Sequence, residues 1–194
     1  MLIEQAQIAD QDLPIAEFQA HLAMGTALDP DGVQIQVLAG FLRAAIAAIE
    51  TKLGKILLQR DFEWHPTRVQ DRIALPVGPI LRVTQVDHID GAGTAQVVDP
   101  NGYDLDRSGD VVVLTGAARN LPKNGAISVY FSAGITDTWA RLPADLAQAV
   151  FMLAAHYYEY RHDMGLSAGC MPFGVTSLIQ RFRRVRLGSV GGNA

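Results

Sequence analysis

Residues 41–64 read FLRAAIAAIETKLGKILLQRDFEW, and the hydrophobic period changes within this stretch. Up to Leu53 the apolar residues recur at helical spacing, and Gly54 follows as a residue suited to a helix C-terminus. From about Ile56 the chain turns to short runs rich in β-branched and aromatic residues, separated by Pro and Gly. The stretch therefore predicts a long helix that leads directly into a β region.

The long helix is expected to begin upstream at Asp29-Pro30-Asp31, where an aspartate cap, a first-turn proline and a second acid suit a helix N-terminus. A shorter helix is expected before it, from Pro14 to near Gly25. Together these two segments form an N-terminal helix pair.

Two adjoining apolar stripes run along the long helix, which is wider than a surface helix of a monomer needs. The first stripe contains Val33, Val37, Phe41, Ala45 and Ala48, and the second contains Leu38, Leu42, Ile46, Ile49 and Leu53. We expect one stripe to face another subunit, with Val37, Leu38, Phe41 and Leu42 as contact residues.

The β region spans about residues 57–134. Strands are predicted at 57–64, 73–75, 81–89, 94–98, 103–106, 111–114 and 127–132. Short connections, including the turn at Asp90-Gly91, favour an antiparallel meander. Helical spacing returns from Pro143, with a last short helix at about 175–182. We predict one α+β domain over residues 1–187, a helical core with the β region inserted, and a flexible tail at 188–194.

Charge is unevenly distributed in this chain of 194 residues and net charge −4. Residues 1–42 carry six acidic and no basic side chains, whereas residues 164–194 carry four arginines and no acid. The ends are either a solvated acidic face and a basic tail, or surfaces that meet opposite charge on a neighbouring copy or another protein. The small negative net charge disfavours a general nucleic-acid coat, and the apolar runs are too short to predict a membrane partner.

Candidate catalytic or metal-binding residues are few. His156, Glu159, His162 and Asp163 lie near one another, but in the wrong order for a zinc protease and with one Glu-x-x-His pair where a di-metal site needs two. The lone Cys170 lies among apolar residues, where a thiol packs as a small hydrophobe, and it excludes a disulfide-stapled class. We therefore predict no enzyme activity, no catalytic residue, no metal and no cofactor.

Family resemblance comes from several segments in a fixed order. Residues 142–161, LPADLAQAVFMLAAHYYEYR, resemble the penultimate helix of tailed-phage head–tail connector (adaptor) proteins. Residues 172–183 are similar to the closing helix of that family, and segments upstream to Leu13 follow the same order. The run GCMPFGV at 169–175 resembles in particular the adaptors of bacterial gene transfer agents.

The resemblance implies a structural protein of the virion neck, made in the bacterial cytoplasm and forming a ring, typically twelve-fold, beneath the capsid portal. It implies that a stopper or tail completion protein docks on this ring and that DNA passes through without sequence-specific binding. Family members commonly grip the portal with the C-terminal segment, which gives Phe182, Arg183, Arg184 and Arg186 a portal-binding role. The shorter members are almost entirely helical, so the long β region is a departure. A DNA-binding accessory protein, and then a small hydrolase, are the alternatives.

Overall fold

The computed structural model describes residues 1–23, 32–68, 70–108, 110–120, 125–161 and 171–183. Its helices are α1 (Ile15–His21), α2 (Val33–Leu53), α3 (Ala144–Glu159) and α4 (Phe173–Ile179). Its strands are β1 (Leu2–Glu4), β2 (Arg60–Trp64), β3 (Arg72–Ala74), β4 (Ile80–Ile89), β5 (Ala95–Val97), β6 (Tyr103–Asp106), β7 (Val111–Leu114) and β8 (Ala126–Ala133). Short 3-10 turns lie at Asp10–Asp12, Pro100–Gly102, Gly116–Arg119, Trp139–Arg141 and Gln180–Phe182. The predicted α+β class is confirmed.

The helical part is built on α2 and α3, which pack along each other. α2 ends at Gly54, whose left-handed φ of 64° lets its N–H donate to the Glu50 carbonyl at 2.8 Å. The expected start at Asp29 and Pro30 lies outside the described residues. α2 is long and apolar enough to cross a membrane by length and composition, but helices buried in protein cores meet the same description, and one side of α2 is buried here.

The sheet part has a second hydrophobic core of its own. One sheet has five antiparallel strands in the order β1-β2-β8-β4-β5, and a smaller sheet has the order β3-β7-β6. Phe62 and Phe131 stack between neighbouring strands with ring centroids 5.7 Å apart, and Val112 and Leu114 of the smaller sheet join the same core. Both edge strands of the larger sheet are only three residues long.

Every strand predicted from the sequence is present, with bounds shifted by at most three residues. The meander is wrong, because β8 lies in the middle of the larger sheet and pairs with both β2 and β4. β1 was not predicted from the sequence; it pairs with β2 through Leu2, Ile3 and Glu4.

A buried ion pair joins the two parts. Arg60 of β2 contacts Glu50 at the end of α2 (Nη2 to Oε2, 2.7 Å), and their side chains are only 8% and 7% exposed. Arg60 also contacts Glu4 of β1 (Nε to Oε1, 2.6 Å), and the Leu57 N–H donates to Glu50 Oε1 at 2.8 Å. Burial lowers the pKa of Arg60, but hydrogen bonds to Glu50 and the charges of Glu50 and Glu4 outweigh it, so the pKa lies above its ordinary value.

Candidate assembly surfaces

One face of α2 is apolar and open to solvent. Its members recur every three or four residues and therefore lie in one line along the helix. We call this line the α2 outer stripe; it contains Val33, Val37, Gly40, Ala44 and Ala47. The stripe carries no charged side chain, which is unusual for the solvent-facing side of a helix in a monomer.

The four predicted subunit-contact residues fall into two groups. Leu38 and Leu42 are 0% exposed and belong to the core between α2 and α3, so they cannot contact a second subunit from this position. Val37 is 44% exposed, and Phe41 is partly buried with its ring edge-on to Tyr158 at 5.8 Å. The prediction is corrected for Leu38 and Leu42, because one of the two adjoining stripes is needed to bind α3. Subunit contact through Val37 and Phe41 stays a prediction.

The predicted portal-binding segment starts at Phe182. Phe182 is partly buried against the core of its own protomer, with the Arg181 guanidinium 4.7 Å from the ring centroid. Arg181 also pairs with Asp145 of α3 at 2.6 Å (Nη2 to Oδ2). Arg183 is exposed, whereas Arg184, Arg186 and the predicted flexible tail lie outside the described residues. The protomer therefore already holds the aromatic side chain that was expected to anchor in a partner.

Phe173, the first residue of α4, is an exposed aromatic that sequence reasoning did not single out. It is 85% exposed, the largest value among the exposed large hydrophobic residues of the described chain. Val175 and Ile179 of the same short helix are fully buried against the helical core. In a seven-residue helix this spacing could have shown that position 173 lies off the buried face.

Solved structures similar to this chain come from particle necks. The chain is 42% identical to a chain of "Neck of empty GTA particle computed with C6 symmetry". The alignment covers 99% of this chain and 98% of that chain, with a TM-score of 0.81. The corresponding values are 42%, 99%, 98% and 0.79 for "Virion of native gene transfer agent (GTA) particle", and 40%, 99%, 98% and 0.76 for "Neck of native GTA particle computed with C12 symmetry". No protein-family model matches the chain, and no curated protein matches it in sequence.

The chain belongs to the family of gene transfer agent neck proteins. The predicted family, structural neck role and virion location are confirmed by this membership. The C6 and C12 symmetries of the similar particles support a ring of identical copies for this neck protein. The absence of catalysis stays a prediction, although its relatives are structural components of the particle.

The candidate metal residues of this neck protein do not form a site in the part of the chain that the structure describes. The His156 ring lies against the Tyr160 ring with centroids 4.8 Å apart and a tilt of 48°, and Glu159 is exposed. His162, Asp163 and Cys170 lie outside the described residues. Among the described residues no group of three or more His, Cys, Asp or Glu side chains could hold a metal ion.

A polar network covers one face of the larger sheet. Tyr130 donates to Glu63 at 2.9 Å, and His65 lies between Glu63 (3.1 Å) and the Ser128 hydroxyl (2.8 Å). The hydrogen bond to Glu63 raises the pKa of Tyr130, because it stabilises the protonated phenol beside a carboxylate. These side chains bond to one another, so the network accounts for the polar residues on this face of the sheet in this neck protein.

The acids of the N-terminal region are used in two ways. Asp10 pairs with Arg43 of α2 at 2.5 Å, which neutralises it within the protomer. Asp12 and Glu17 instead line an open groove between residues 5–14, 58–61 and 137–140, together with Asp61. Internal pairing therefore accounts for part of the acidic excess of this neck protein, and an acidic groove carries another part.

Proposed function

We propose that this chain forms a twelve-membered ring in the neck of a gene transfer agent or phage-like particle and joins the capsid portal to a stopper or tail completion protein. DNA passes through the ring without sequence-specific contacts. The observation that carries the proposal is the full-length similarity, at 42% identity and a TM-score of 0.81, to a chain of a particle neck. A role of this kind needs surfaces for assembly and no reaction centre.

The α2 outer stripe supports the ring. A closed ring buries a surface on each copy, and surfaces buried between identical copies are apolar at their centre. Val37 and the accessible part of Phe41 lie on or beside the stripe and offer such a centre, while Leu38 and Leu42 hold α2 to its own protomer. We assign the subunit interface to this face of α2.

The C-terminal segment supports portal binding. Arg183 is exposed and follows Phe182, which packs against the helical core, and the sequence continues with Arg184 and Arg186 and no acid. An arginine-rich segment suits a partner surface of negative charge, and such contacts weaken as salt rises. In this proposal Phe182 packs on its own protomer and the arginines make the contact with the portal.

Electron microscopy of purified particles tests the ring. With an affinity-tagged copy of this chain labelled by a tag-specific antibody fragment, we expect label at the neck only, and twelve copies per particle by quantitative mass spectrometry. Label at the tail tip or on the capsid shell, or loss of the chain from intact particles, would contradict the proposal.

Co-purification with the portal protein tests the tail. We expect Arg183→Glu with Arg184→Glu to bind the portal weakly at all salt concentrations, whereas wild-type binding falls as salt rises. Arg141→Glu is the matched control, because Arg141 is exposed and lies outside the C-terminal segment. If the double variant keeps full portal affinity and loses only binding to bare DNA, the arginines face the channel instead.

A further inference from the structure

We propose that Phe173 of one copy packs onto the α2 outer stripe of the next copy, over Gly40. The inference rests on the proposed ring and names the two surfaces that meet in it. The occupant of the stripe is thus a second copy of this chain, contributing the first residue of α4.

Gly40 is not required by the protomer. It lies inside a 21-residue helix, where glycine is less favourable than alanine by roughly a factor of five in helix stability. A Cβ built at this position meets no atom within 4 Å, so no internal packing explains its absence. A close approach from outside the protomer does explain it, because glycine leaves a shallow hollow between Val37 and Ala44.

The charged side chain nearest to Gly40 on α2 does not reach over the α2 outer stripe. Arg43, the next charged residue along α2, bends away to donate to the Ile8 carbonyl at 2.6 Å and to pair with Asp10. The stripe therefore presents small and aliphatic groups. An aromatic side chain can settle there without leaving a buried charge unpaired.

Phe173 is an exposed aromatic residue, and its side chain suits the apolar α2 outer stripe. A single exposed aromatic residue is common on protein surfaces, but Phe173 is 85% exposed at the start of a helix whose other side is fully buried. The packing of Val175 and Ile179 holds the backbone of this helix in place, which lowers the entropy lost on binding. Aromatic side chains that enter pockets at the centre of an interface commonly dominate its affinity.

The two surfaces belong to different helices, which pack on different parts of α3. α3 contacts α2 through the Tyr158 and Phe41 rings, whereas Met152 of α3 reaches Gly174 of α4, its methyl carbon 2.9 Å from where a Cβ would lie. At 100° per residue, Met152 and Tyr158 are about 120° apart around α3. A head-to-tail ring needs two different, complementary surfaces on each copy, and Phe173 of α4 and the stripe around Gly40 of α2 are two such surfaces.

Cysteine cross-linking in assembled particles tests the contact. In a Cys170→Ser background we expect Gly40→Cys combined with Phe173→Cys to give a ladder of covalent oligomers on a denaturing gel after mild oxidation. Each single variant should give no ladder. The pair Phe173→Cys with Val97→Cys is the matched control, since Val97 is also exposed but lies on β5 of the sheet part, and it should give none either.

Loss of the side chain gives an independent measurement. We expect Phe173→Ala to keep the wild-type melting temperature and to weaken subunit association at least about 30-fold, which removes the chain from purified particles. Tyr160→Ala, the control at another exposed aromatic residue, should assemble normally.

Three outcomes would overturn the inference. The first is a Phe173→Cys cross-link to a different protein of the neck. The second is wild-type assembly of Phe173→Ala. The third is the absence of the ladder in particles that contain the ring, and in all three cases the proposed neck function still stands. Particles that lack the wild-type chain altogether would instead overturn both proposals.

Discussion

Removing the carboxylate of Glu50 should strongly destabilise the protein. In Glu50→Ala, the guanidinium of Arg60, only 8% exposed, keeps Glu4 as its one carboxylate partner, and the Leu57 N–H loses its acceptor. Breaking a buried ion pair from one side costs about 3–5 kcal/mol. Glu4 stays in contact and is itself 37% exposed, so we expect the lower part of that range, about 3 kcal/mol.

Thermal unfolding followed by tryptophan fluorescence measures this loss, because Trp64 lies in the sheet part and Trp139 beside the helical part. For a chain of this size, about 3 kcal/mol corresponds to a fall in melting temperature of roughly 6–12 °C. Arg141→Ala, which removes an exposed pair with Asp137, is the control and should leave the melting temperature unchanged.

Replacing both partners distinguishes ion pairing from packing. Glu50→Leu with Arg60→Met leaves no buried charge, so the double variant should recover much of the lost stability. A fall of less than about 1 kcal/mol in Glu50→Ala would refute the reasoning, because it would mean that water reaches the Arg60 guanidinium.

Three further predictions concern single positions. Val37→Asp should fold with an unchanged circular dichroism spectrum but stay out of particles, whereas Leu38→Asp should fail to fold, since a charge at that site is fully buried. In a urea titration, Gly134→Ala should lower the free energy of unfolding by about 1–3 kcal/mol, because the added Cβ would lie 2.5 Å from a backbone atom of Gln59. In the same titration Gly40→Ala should raise the free energy of unfolding of the isolated protomer, because its Cβ would meet no atom within 4 Å. The pKa of Tyr130 is raised in the folded state, so the hydrogen bond to Glu63 stabilises the fold below about pH 10 and this stabilisation is lost at higher pH. The melting temperature of wild type should therefore fall faster than that of Tyr130→Phe between about pH 9 and 11. An equal fall in melting temperature for the two proteins would contradict this.

Local pattern predicted the secondary structure well, and long-range pairing poorly. The change of period after Gly54 located the start of the β region because both helix and strand spacing are properties of neighbouring residues. The pairing of β2 with β8 joins Phe62 to Phe131, and no local signal reports a contact across that separation. The sequence therefore showed the strands without their order.

The residues predicted for assembly stay a prediction, but the structure shows where the described ones lie in the protomer. Helical spacing identified α2 as a helix with too much apolar surface, but spacing alone cannot tell which stripe binds α3, so Leu38 and Leu42 were assigned to the wrong side. Phe182 received a portal-binding role from the family resemblance, and no sequence pattern reported that it packs against its own helical core. Phe173 was not singled out, although the spacing of the buried Val175 and Ile179 places it off the buried face of α4.

The three-residue edge strands of the larger sheet have a consequence for the protein before it is incorporated. An exposed strand edge offers unpaired backbone groups on which another chain can add, and short edges limit this addition. β1 and β5 each offer only three residues, so sheet-to-sheet growth into open-ended filaments has little to build on. Copies that are not yet incorporated therefore have little tendency to aggregate through the edges of this sheet.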